Sequence, residues 1–488
     1  MRSRKSLFGV LVLVLALVGA LLAAASAAPA STAAPAADGT SRFTGLDTFC
    51  KAAASPPTKA PKAIDDGITD KEISVTNVRL DTEIIKKIGF AYDYGDAVDQ
   101  VNTFVGLIND ECGGIDGRKI VVHDILQPVP GLSGDPQLQA QESCTKIVKD
   151  FNSIAAFSNT GIGDPLAQCV TGPNPVMYIG TYDFSEQDFK QSHGRLFSFN
   201  HSPTDILTYA ARALAPKLKG ERVAVVTDDT APDPEIVQEG LIKALKKAGV
   251  DATLDVLPCG DDPACASGII PAVQRLKADG AKVVFPLLSA LALPAYLNEM
   301  VTQGFKPGDV QFYNTSFQAQ DSELVASHIA DNGSKEAAAL YDGATIISGG
   351  LEGDWRLPGY QPDKFNQMCN DAYIANSKVV TEPYDPTIDD SNRIYSVVAG
   401  HCAMVRLLAR GIEAAGPNPT RAAIAKAIGR IGALDTGAGT PATLKPGKPT
   451  APDAIARLKF RFPCPKPVTN DANVCMVPTP PDFLPIPK

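Results

Sequence analysis

The spacing of apolar residues predicts alternating strands and helices in the first half of the chain. Short apolar runs, typical of buried strands, are separated by stretches in which apolar residues recur every three or four positions, as on one face of a helix. This alternation is typical of a parallel sheet covered by helices on both faces. The predicted strands are residues 73–78, 119–123, 153–157 and 176–179, and the predicted helices are residues 96–110, 136–150 and 165–170.

A second series of the same kind follows after about residue 200. Its strand-like runs again alternate with helical patterns, so the chain is expected to form two lobes. The predicted helices are residues 205–218, 234–248, 269–279 and 292–303, and the predicted strands are residues 222–227, 251–257 and 283–287.

The first residues have the form of a cleavable export signal. Basic residues at positions 2, 4 and 5 precede an uncharged apolar run over residues 7–25 and the small residues Ala25-Ser26-Ala27. The run is almost long enough to span a membrane, but the cleavage triplet and the Ala/Pro/Ser-rich tract after it favour removal over a retained anchor. The first cysteine, Cys50, is far from the predicted cleavage point, so we expect no lipid anchor.

The charge balance argues against a nucleic-acid partner. The formal net charge is −9 at pH 7, and removal of the predicted signal leaves about −12, because the signal contains basic residues and no acidic ones. An acidic surface repels phosphate backbones. We therefore expect neither DNA nor RNA binding.

Ten cysteines in an exported chain are most simply explained as disulfides. The sequence alone does not assign all of them, because ten cysteines allow many connectivities. The candidate pairs, which close a short loop or flank one predicted helix–strand–helix unit, are Cys259–Cys265, Cys464–Cys475 and Cys144–Cys169.

Six segments in a fixed order carry a resemblance to a known family. Residues 108–120, I-N-D-E-C-G-G-I-D-G-R-K-I, combine the end of a helix, a glycine stop and the start of a strand. Together the segments resemble the solute-binding proteins of branched-chain amino-acid and amide ABC transporters, over about residues 73–431. The other five segments are residues 135–150, 152–159, 222–229 with 245–250, 276–285 with 300–306, and 401–416.

The resemblance implies an α/β, two-lobed type I periplasmic binding protein fold. Each lobe would be a parallel sheet with helices on both faces, and the chain would cross between the lobes three times. The expected boundaries are a signal peptide at 1–27, a Pro/Ala-rich leader at 28–68, lobe one at 69–200 and again at 349–431, lobe two at 201–348, and a return to lobe two with a Cys- and Pro-rich C-terminal strap at 432–488.

In such a fold a ligand binds between the lobes, at the carboxyl ends of the strands. Polar residues follow the predicted strands of both lobes, although any one of them could equally be an ordinary loop residue. The candidate ligand-binding residues are Tyr92, Tyr94, Ser158, Asn159, Thr160, Gly161, Thr181, Tyr182 and Asp183 in lobe one, and Asp229, Thr230, Ser289, Asn314 and Ser316 in lobe two.

The same positions suggest a class of ligand. By the resemblance, an α-amino acid would be held through its ammonium by an acidic residue and a tyrosine of lobe two. The corresponding strand ends carry Ser289 and Asn314-Thr315-Ser316, with no carboxylate. A buried ammonium without a counter-charge is costly. We therefore expect an amide, a carboxylate or an aromatic or apolar compound in place of a plain amino acid.

No motif supports catalysis or a resident metal. The five histidines are scattered, H-E-x-x-H and C-x-x-C spacings are absent, and there is neither a G-x-S-x-G elbow nor a phosphate-binding loop. We therefore expect a protein that is not an enzyme and has no cofactor.

The leading interpretation is an exported, monomeric solute-binding protein. It would close over a small-molecule ligand and deliver it to the permease subunits of an ABC importer. Two alternatives stay open at this stage: a ligand-sensing module that signals to a membrane receptor, and a secreted hydrolase on a two-lobed scaffold.

The mature protein is expected to begin near Ala28 and to carry no acyl group, because the cleavage triplet ends at Ala27 and no cysteine closely follows it. N-terminal sequencing and the intact mass measure both properties. Partition of the protein into a detergent phase, or an acyl group on Cys50, would contradict this prediction.

Overall fold

Two large sheets organise the residues that the structure, a computed structural model, describes. The first has five strands and the second has eight, and a two-stranded ribbon is part of neither sheet. The described residues are 41–53, 61–87, 93–128, 135–159, 164–230, 232–260, 262, 264–379, 381, 394–465 and 472–487.

The first sheet is parallel throughout. Its strands are β1 (Glu72–Leu80), β2 (Lys119–Gln127), β3 (Ala155–Ser158), β4 (Met177–Gly180) and β5 (Leu196–Ser198). They lie in the order β2-β1-β3-β4-β5. β2 continues beyond the predicted end at His123, because it pairs with β1 along its whole length. Successive residues of a strand face opposite sides, so polar residues on the half-exposed side of this edge strand do not end it.

Five helices accompany the first sheet: α1 (Thr82–Lys87), α2 (Ala97–Gly106), α3 (Pro136–Thr145), α4 (Asp164–Thr171) and α5 (Glu186–Gln191). α2 continues as a π-helical turn, Leu107–Glu111. Gly113 and Gly114 then take φ angles of 75° and 71°. A Cβ on Gly114 would lie 2.4 Å from the carbonyl oxygen of Arg118. The backbone therefore requires the glycine stop that the sequence predicted.

The second sheet has a parallel centre built from the second series of elements. Its parallel strands lie in the order β10-β9-β8-β6-β7, and apolar clusters cover both of its faces. The strands are β6 (Arg222–Asp228), β7 (Asp251–Leu257), β8 (Val283–Leu287), β9 (Gln311–Thr315) and β10 (Thr345–Ser348). The helices are α6 (Pro203–Leu218), α7 (Asp233–Val237), α8 (Lys243–Lys247), α9 (Ala266–Asp279), α10 (Ala292–Thr302), α11 (Glu323–His328) and α12 (Lys335–Tyr341).

Three late helices return to the first lobe. They are α13 (Lys364–Ser377), α14 (Ile394–Ala415) and α15 (Arg421–Ile428). Their buried residues share one apolar cluster with β1, β3 and α2. The chain thus passes between the two sheets three times: after β5, after β10, and again after these helices. No described helix is long and apolar enough to cross a membrane.

The C-terminal segment, predicted as a strap, contains regular strands. A short ribbon of β11 (Gly432–Ala433) and β12 (Thr443–Leu444) precedes β13 (Ala454–Arg461), β14 (Cys475–Pro478) and β15 (Leu484–Pro485). β13 pairs antiparallel with β10, and β14 and β15 pair with β13. These strands extend the second sheet and cover a β10 edge that would otherwise offer unpaired backbone groups.

Part of the segment predicted as a leader packs against the first lobe. Phe43 and Phe49 belong to the apolar cluster of that lobe. Arg42 forms an ion pair with Glu413 of α14 at 2.8 Å. Burial of two aromatic side chains stabilises the attachment, so only the residues before this point remain as a candidate leader.

All ten cysteines form disulfides, and each bond joins residues of the same lobe. Those of the first lobe connect helices or the N-terminal segment, and those of the second lobe close short loops. The bonds are Cys50–Cys112, Cys144–Cys169 and Cys369–Cys402 in the first lobe, and Cys259–Cys265 and Cys464–Cys475 in the second.

A buried ion pair connects the second crossing to the C-terminal strands. Arg356, in a short 3₁₀ turn after β10, donates to both carboxylate oxygens of Glu323 in α11, and both side chains are 1% exposed. Glu323 also accepts a hydrogen bond from the backbone N–H of Met476 at 3.0 Å. The guanidinium stacks on Trp355 with 4.0 Å between its carbon and the ring centroid.

Substitution Glu323→Leu is expected to lower the free energy of unfolding by about 3–5 kcal/mol, because it leaves the Arg356 charge buried without a partner. The double variant Glu323→Leu/Arg356→Met should regain part of this loss. Glu239→Leu, which breaks the exposed pair of Glu239 with Lys243, is the matched control and should cost less than about 1 kcal/mol. Chemical denaturation measures all three, and a double variant no more stable than Glu323→Leu would contradict the argument.

Candidate functional site

A cavity of about 610 Å³ lies between the two lobes. Its first-lobe wall comes from the segments after β4 and β5, and its second-lobe wall comes from the start of α7 and the segments after β8 and β9. Parallel strands end at one edge of their sheet, so these segments meet in the crevice where ligands bind in open α/β folds. Representative lining residues are Thr181, Tyr182 and Asp183 of the first lobe and Asp233, Ser316 and Phe317 of the second.

A second cavity of about 350 Å³ adjoins the first on the side of the chain crossings. The two cavities share Thr181, Asp321, Gly350 and Ala438 in their walls. The smaller one is otherwise formed by the segment after β10, by the first turns of α13 and α14, and by residues near β11. The smaller cavity therefore lies between the larger cavity and the segments that connect the lobes.

Carboxyls from both lobes line the larger cavity. Asp183 of the first lobe accepts a hydrogen bond from Asn200 Nδ2 at 2.9 Å. Asp233 of the second accepts one from Gln318 Nε2. Burial raises the pKa of each carboxyl to about 7, and the nearby Asp228 adds to the effect at Asp233. Each can therefore gain or lose a proton near neutral pH.

Two further carboxyls lie toward the crossings. Asp321, which lines both cavities, accepts a hydrogen bond from Ser348 Oγ at 2.5 Å. Asp354 lines the smaller cavity. Burial raises the pKa of each to about 6, and the negative charge of Glu352 adds to both shifts. The cleft thus concentrates negative charge that its own wall does not neutralise.

Aromatic side chains supply the less polar part of the wall. Tyr182 packs edge-on against Phe184 with ring centroids 5.4 Å apart, and its own side chain is 36% exposed. Phe199 and Phe317 line the larger cavity from opposite lobes. An aromatic wall with a few polar groups is the usual composition of a small-molecule site.

Five of the predicted site residues line the cleft: Asn159, Thr181, Tyr182, Asp183 and Ser316. Asn159 donates a hydrogen bond from Nδ2 to a backbone carbonyl of α14 at 3.0 Å. This contact requires Gly400, because a Cβ there would lie 2.4 Å from the Asn159 side chain. The long helix thus positions a strand-end residue that the sequence had identified.

Other predicted residues have structural contacts and line neither cavity. Asn314 is buried and donates to a backbone carbonyl of β8 at 3.0 Å and to a tyrosine hydroxyl at 3.2 Å. Asp229 accepts backbone N–H groups of the Cys259 loop, and Ser289 accepts one at the start of α10.

Three further candidates, Tyr92, Thr160 and Gly161, lie outside the described residues. The described candidates that line neither cavity are Tyr94, Ser158, Asp229, Thr230, Ser289 and Asn314.

The sequence argument missed the second-lobe carboxyls. It found no carboxylate at Ser289 or at Asn314-Thr315-Ser316, but Asp233 enters from the first turn of α7 and Asp321 from the turn after β9. Both residues follow a strand by several positions, so their distance from the cleft depends on the path of the loop. The cleft therefore contains second-lobe carboxyls that the sequence argument about an ammonium-bearing ligand did not count. The described residues contain no group of three or more His, Cys, Asp or Glu side chains that could hold a metal ion.

Two lobes of parallel sheet, three crossings and a lined cleft define a two-lobed ligand-binding protein. The family model described as periplasmic binding protein matches residues 90–335, about half of the chain. The chain belongs to this family. A comparison with curated proteins finds no match.

Several solved structures share the fold at low identity. A fatty acid ABC transporter substrate-binding protein from Thermomonospora curvata is 16% identical, with a TM-score of 0.57 over 88% of this chain and 96% of that one. An ABC transporter solute-binding protein from Rhodopseudomonas palustris HaA2, in complex with p-hydroxybenzoic acid, is 13% identical, with a TM-score of 0.57 over 86% and 98%. A branched-chain amino acid transporter substrate-binding protein from Streptococcus pneumoniae, in complex with isoleucine, is 14% identical, with a TM-score of 0.52 over 84% and 100%.

Substitution Asp183→Asn is expected to stabilise the ligand-free protein more at pH 8 than at pH 4.5. The raised pKa means that the folded protein binds this proton more tightly than the unfolded chain, so the wild type loses stability as pH rises from about 4 to about 7. The difference between the two pH values should be on the order of 2–4 kcal/mol, since one pKa unit corresponds to about 1.4 kcal/mol.

Chemical denaturation at both pH values measures the effect. Asp70→Asn, at an exposed position, is the matched control and should change stability equally at both. An equal effect of Asp183→Asn at both values would contradict the raised pKa.

Proposed function

We infer that this chain is an extracytoplasmic solute-binding protein, which captures a small organic ligand between its lobes and delivers it to an ABC importer. The observation that carries this proposal is the cleft: a cavity of about 610 Å³ lined by residues of both lobes. A ligand there would contact Thr181 and Tyr182 on one side and Ser316 and Phe317 on the other. Its affinity would therefore depend on the distance between the lobes.

The proposed mechanism is closure about the three crossings. A ligand that contacts both lobes favours the conformation in which they are close, and this shifts the population toward a closed form. Closure removes water from the carboxyl and aromatic groups of the wall, which strengthens polar contacts inside. The closed form would present the surface that permease subunits recognise.

Two lines of evidence support this proposal. The family is one of periplasmic binding proteins, and three solved structures with the same fold are named as binding proteins of ABC transporters. The apolar clusters are separate for each lobe, as rigid-body closure requires. Export without a lipid anchor, a monomeric state, permease subunits as partners and the absence of enzymatic activity are parts of the same proposal.

Ligand binding is expected to reduce the radius of gyration and to raise the free energy of unfolding by about 2.7 kcal/mol at a hundredfold excess over Kd. Native mass spectrometry of the purified protein identifies a co-purified ligand, and solution scattering with thermal unfolding measures closure and stabilisation. Ala290→Trp, which places a large ring in the cleft wall, should abolish both responses.

The matched control is Ala422→Trp, at an exposed position of α15 that lines neither cleft cavity, and it should respond as the wild type does. A ligand that binds tightly without compaction, or one that still binds the Ala290→Trp variant with full affinity, would overturn the proposed closure between the lobes.

A further inference from the structure

The cleft wall contains several acidic side chains and no positively charged side chain among the described residues. Among the described residues that line its two cavities there is no Lys or Arg side chain. His201 lines the larger cavity, but burial lowers its pKa to about 4, and its Nε2 lies 2.9 Å from the carbonyl oxygen of Ala454. It is therefore neutral at physiological pH. The acids that line the cleft are Asp183, Asp233, Asp321, Glu352, Asp354 and Asp363.

This imbalance favours one sign of ligand charge. Burial raises the pKa of Asp183, Asp321 and Asp354, and repulsion from a neighbouring carboxyl adds to each shift. An anionic ligand would add to this repulsion. A cationic ligand would compensate the charges and favour the ionised carboxylates.

Unpaired groups in the smaller cavity specify the ligand further. The Tyr395 hydroxyl has no hydrogen-bond partner among the described residues, although the residue is only 7% exposed. Asn366 Oδ1 also has none, whereas its Nδ2 donates to the carbonyl oxygen of Gly437 at 3.0 Å. An amide oxygen only accepts hydrogen bonds. A ligand partner for this oxygen would therefore be a donor, such as the N–H of an amine.

The hydroxyl and the carboxyls are neighbours. Burial and the nearby Tyr360, Asp363 and Asp354 raise the pKa of Tyr395, so its hydroxyl keeps its proton and can both donate and accept a hydrogen bond. Tyr395, Tyr360 and Trp355 also place three aromatic rings in this wall. Aromatic faces attract cations, most strongly where water is excluded.

We propose that the solute is a small organic cation with a primary or secondary ammonium group, which binds in the smaller cavity against Asp321 and Asp354 and donates hydrogen bonds to Tyr395 and Asn366. This inference rests on the proposed function and names the ligand class of the same cleft. The rest of the ligand extends into the larger cavity, between Tyr182 and Phe317. A bare metal ion does not fit, since the described residues offer no group of metal ligands.

Compounds matched in shape and different in end group test the proposal. Phenethylamine, 2-phenylethanol and 3-phenylpropionate form one set, and the corresponding benzyl and short alkyl compounds form two more. Calorimetry and thermal unfolding of the full mature protein measure binding. The amine of at least one set should bind about tenfold or more tightly than its alcohol, and the carboxylates should not bind measurably.

Three variants locate the ammonium. Asp321→Asn and Asp354→Asn keep size and remove one charge, so each should weaken amine binding about tenfold and change alcohol binding little. Tyr395→Phe should weaken the primary amine several-fold but not its N,N,N-trimethyl analogue, which has no N–H to donate. Glu142→Gln, at an exposed position of α3 that lines neither cavity, is the matched control and should bind as the wild type does.

Each outcome decides between distinct conclusions. Amine binding that both Asp variants weaken supports the proposal. Tight binding of carboxylates, alcohols or zwitterionic amino acids, with compaction, would overturn the cationic ligand and leave the proposed function intact. Amine binding that is unchanged in both Asp variants would overturn the assigned position. The absence of stabilisation by every compound would overturn the cationic ligand class, whereas the proposed function is decided by the co-purified ligand and by solution scattering.

Discussion

Parallel strands end at one edge of a sheet, and both sheets of this protein direct that edge into the same cleft. The loops after β4, β5, β8 and β9 therefore meet, although they are far apart in the sequence. Polar groups are common at strand ends because backbone N–H and C=O groups there need partners. Polar strand-end groups therefore line the cleft, and burial raises the pKa of its carboxyls.

The crossings and the proposed ligand cleft share residues, which would couple binding to the relative position of the lobes. Ser348 ends β10, donates to Asp321 and accepts the backbone N–H of Gly350 at 3.0 Å. Thr440, in the returning segment, donates to the carbonyl oxygen of Gly349 at 2.6 Å. A ligand that moved Asp321 would therefore act on two of the three crossings through these contacts. No separate relay between site and hinge is needed.

The strong constraints lie within the lobes and not between them. Each of the five disulfides closes inside one lobe, and the buried pair of Arg356 with Glu323 fastens the second crossing to the second lobe. Covalent and buried ionic contacts thus make two rigid bodies. None of the five disulfides joins the two lobes, which is compatible with the proposed closure.

The sequence by itself determined most of the strands and helices up to about residue 303, because apolar periodicity and glycine stops are local signals. The stop at Gly114 and the runs that form β6 and β8 are examples. β5 was not predicted, because a strand of three residues is too short to show an alternating pattern. β13 was taken for part of a strap, although its alternating buried residues fit a strand.

Only the tertiary structure decided which polar residues face the cleft. Asn314 and Ser316 are two positions apart, yet one hydrogen-bonds within the core and the other lines the cavity. Asp233, Asp321 and Asp354 enter the cleft through the paths of loops and crossings, which no local pattern encodes. The charge of the site, and hence its ligand class, is a property of the assembled fold, because it depends on side chains that are brought together from distant parts of the chain.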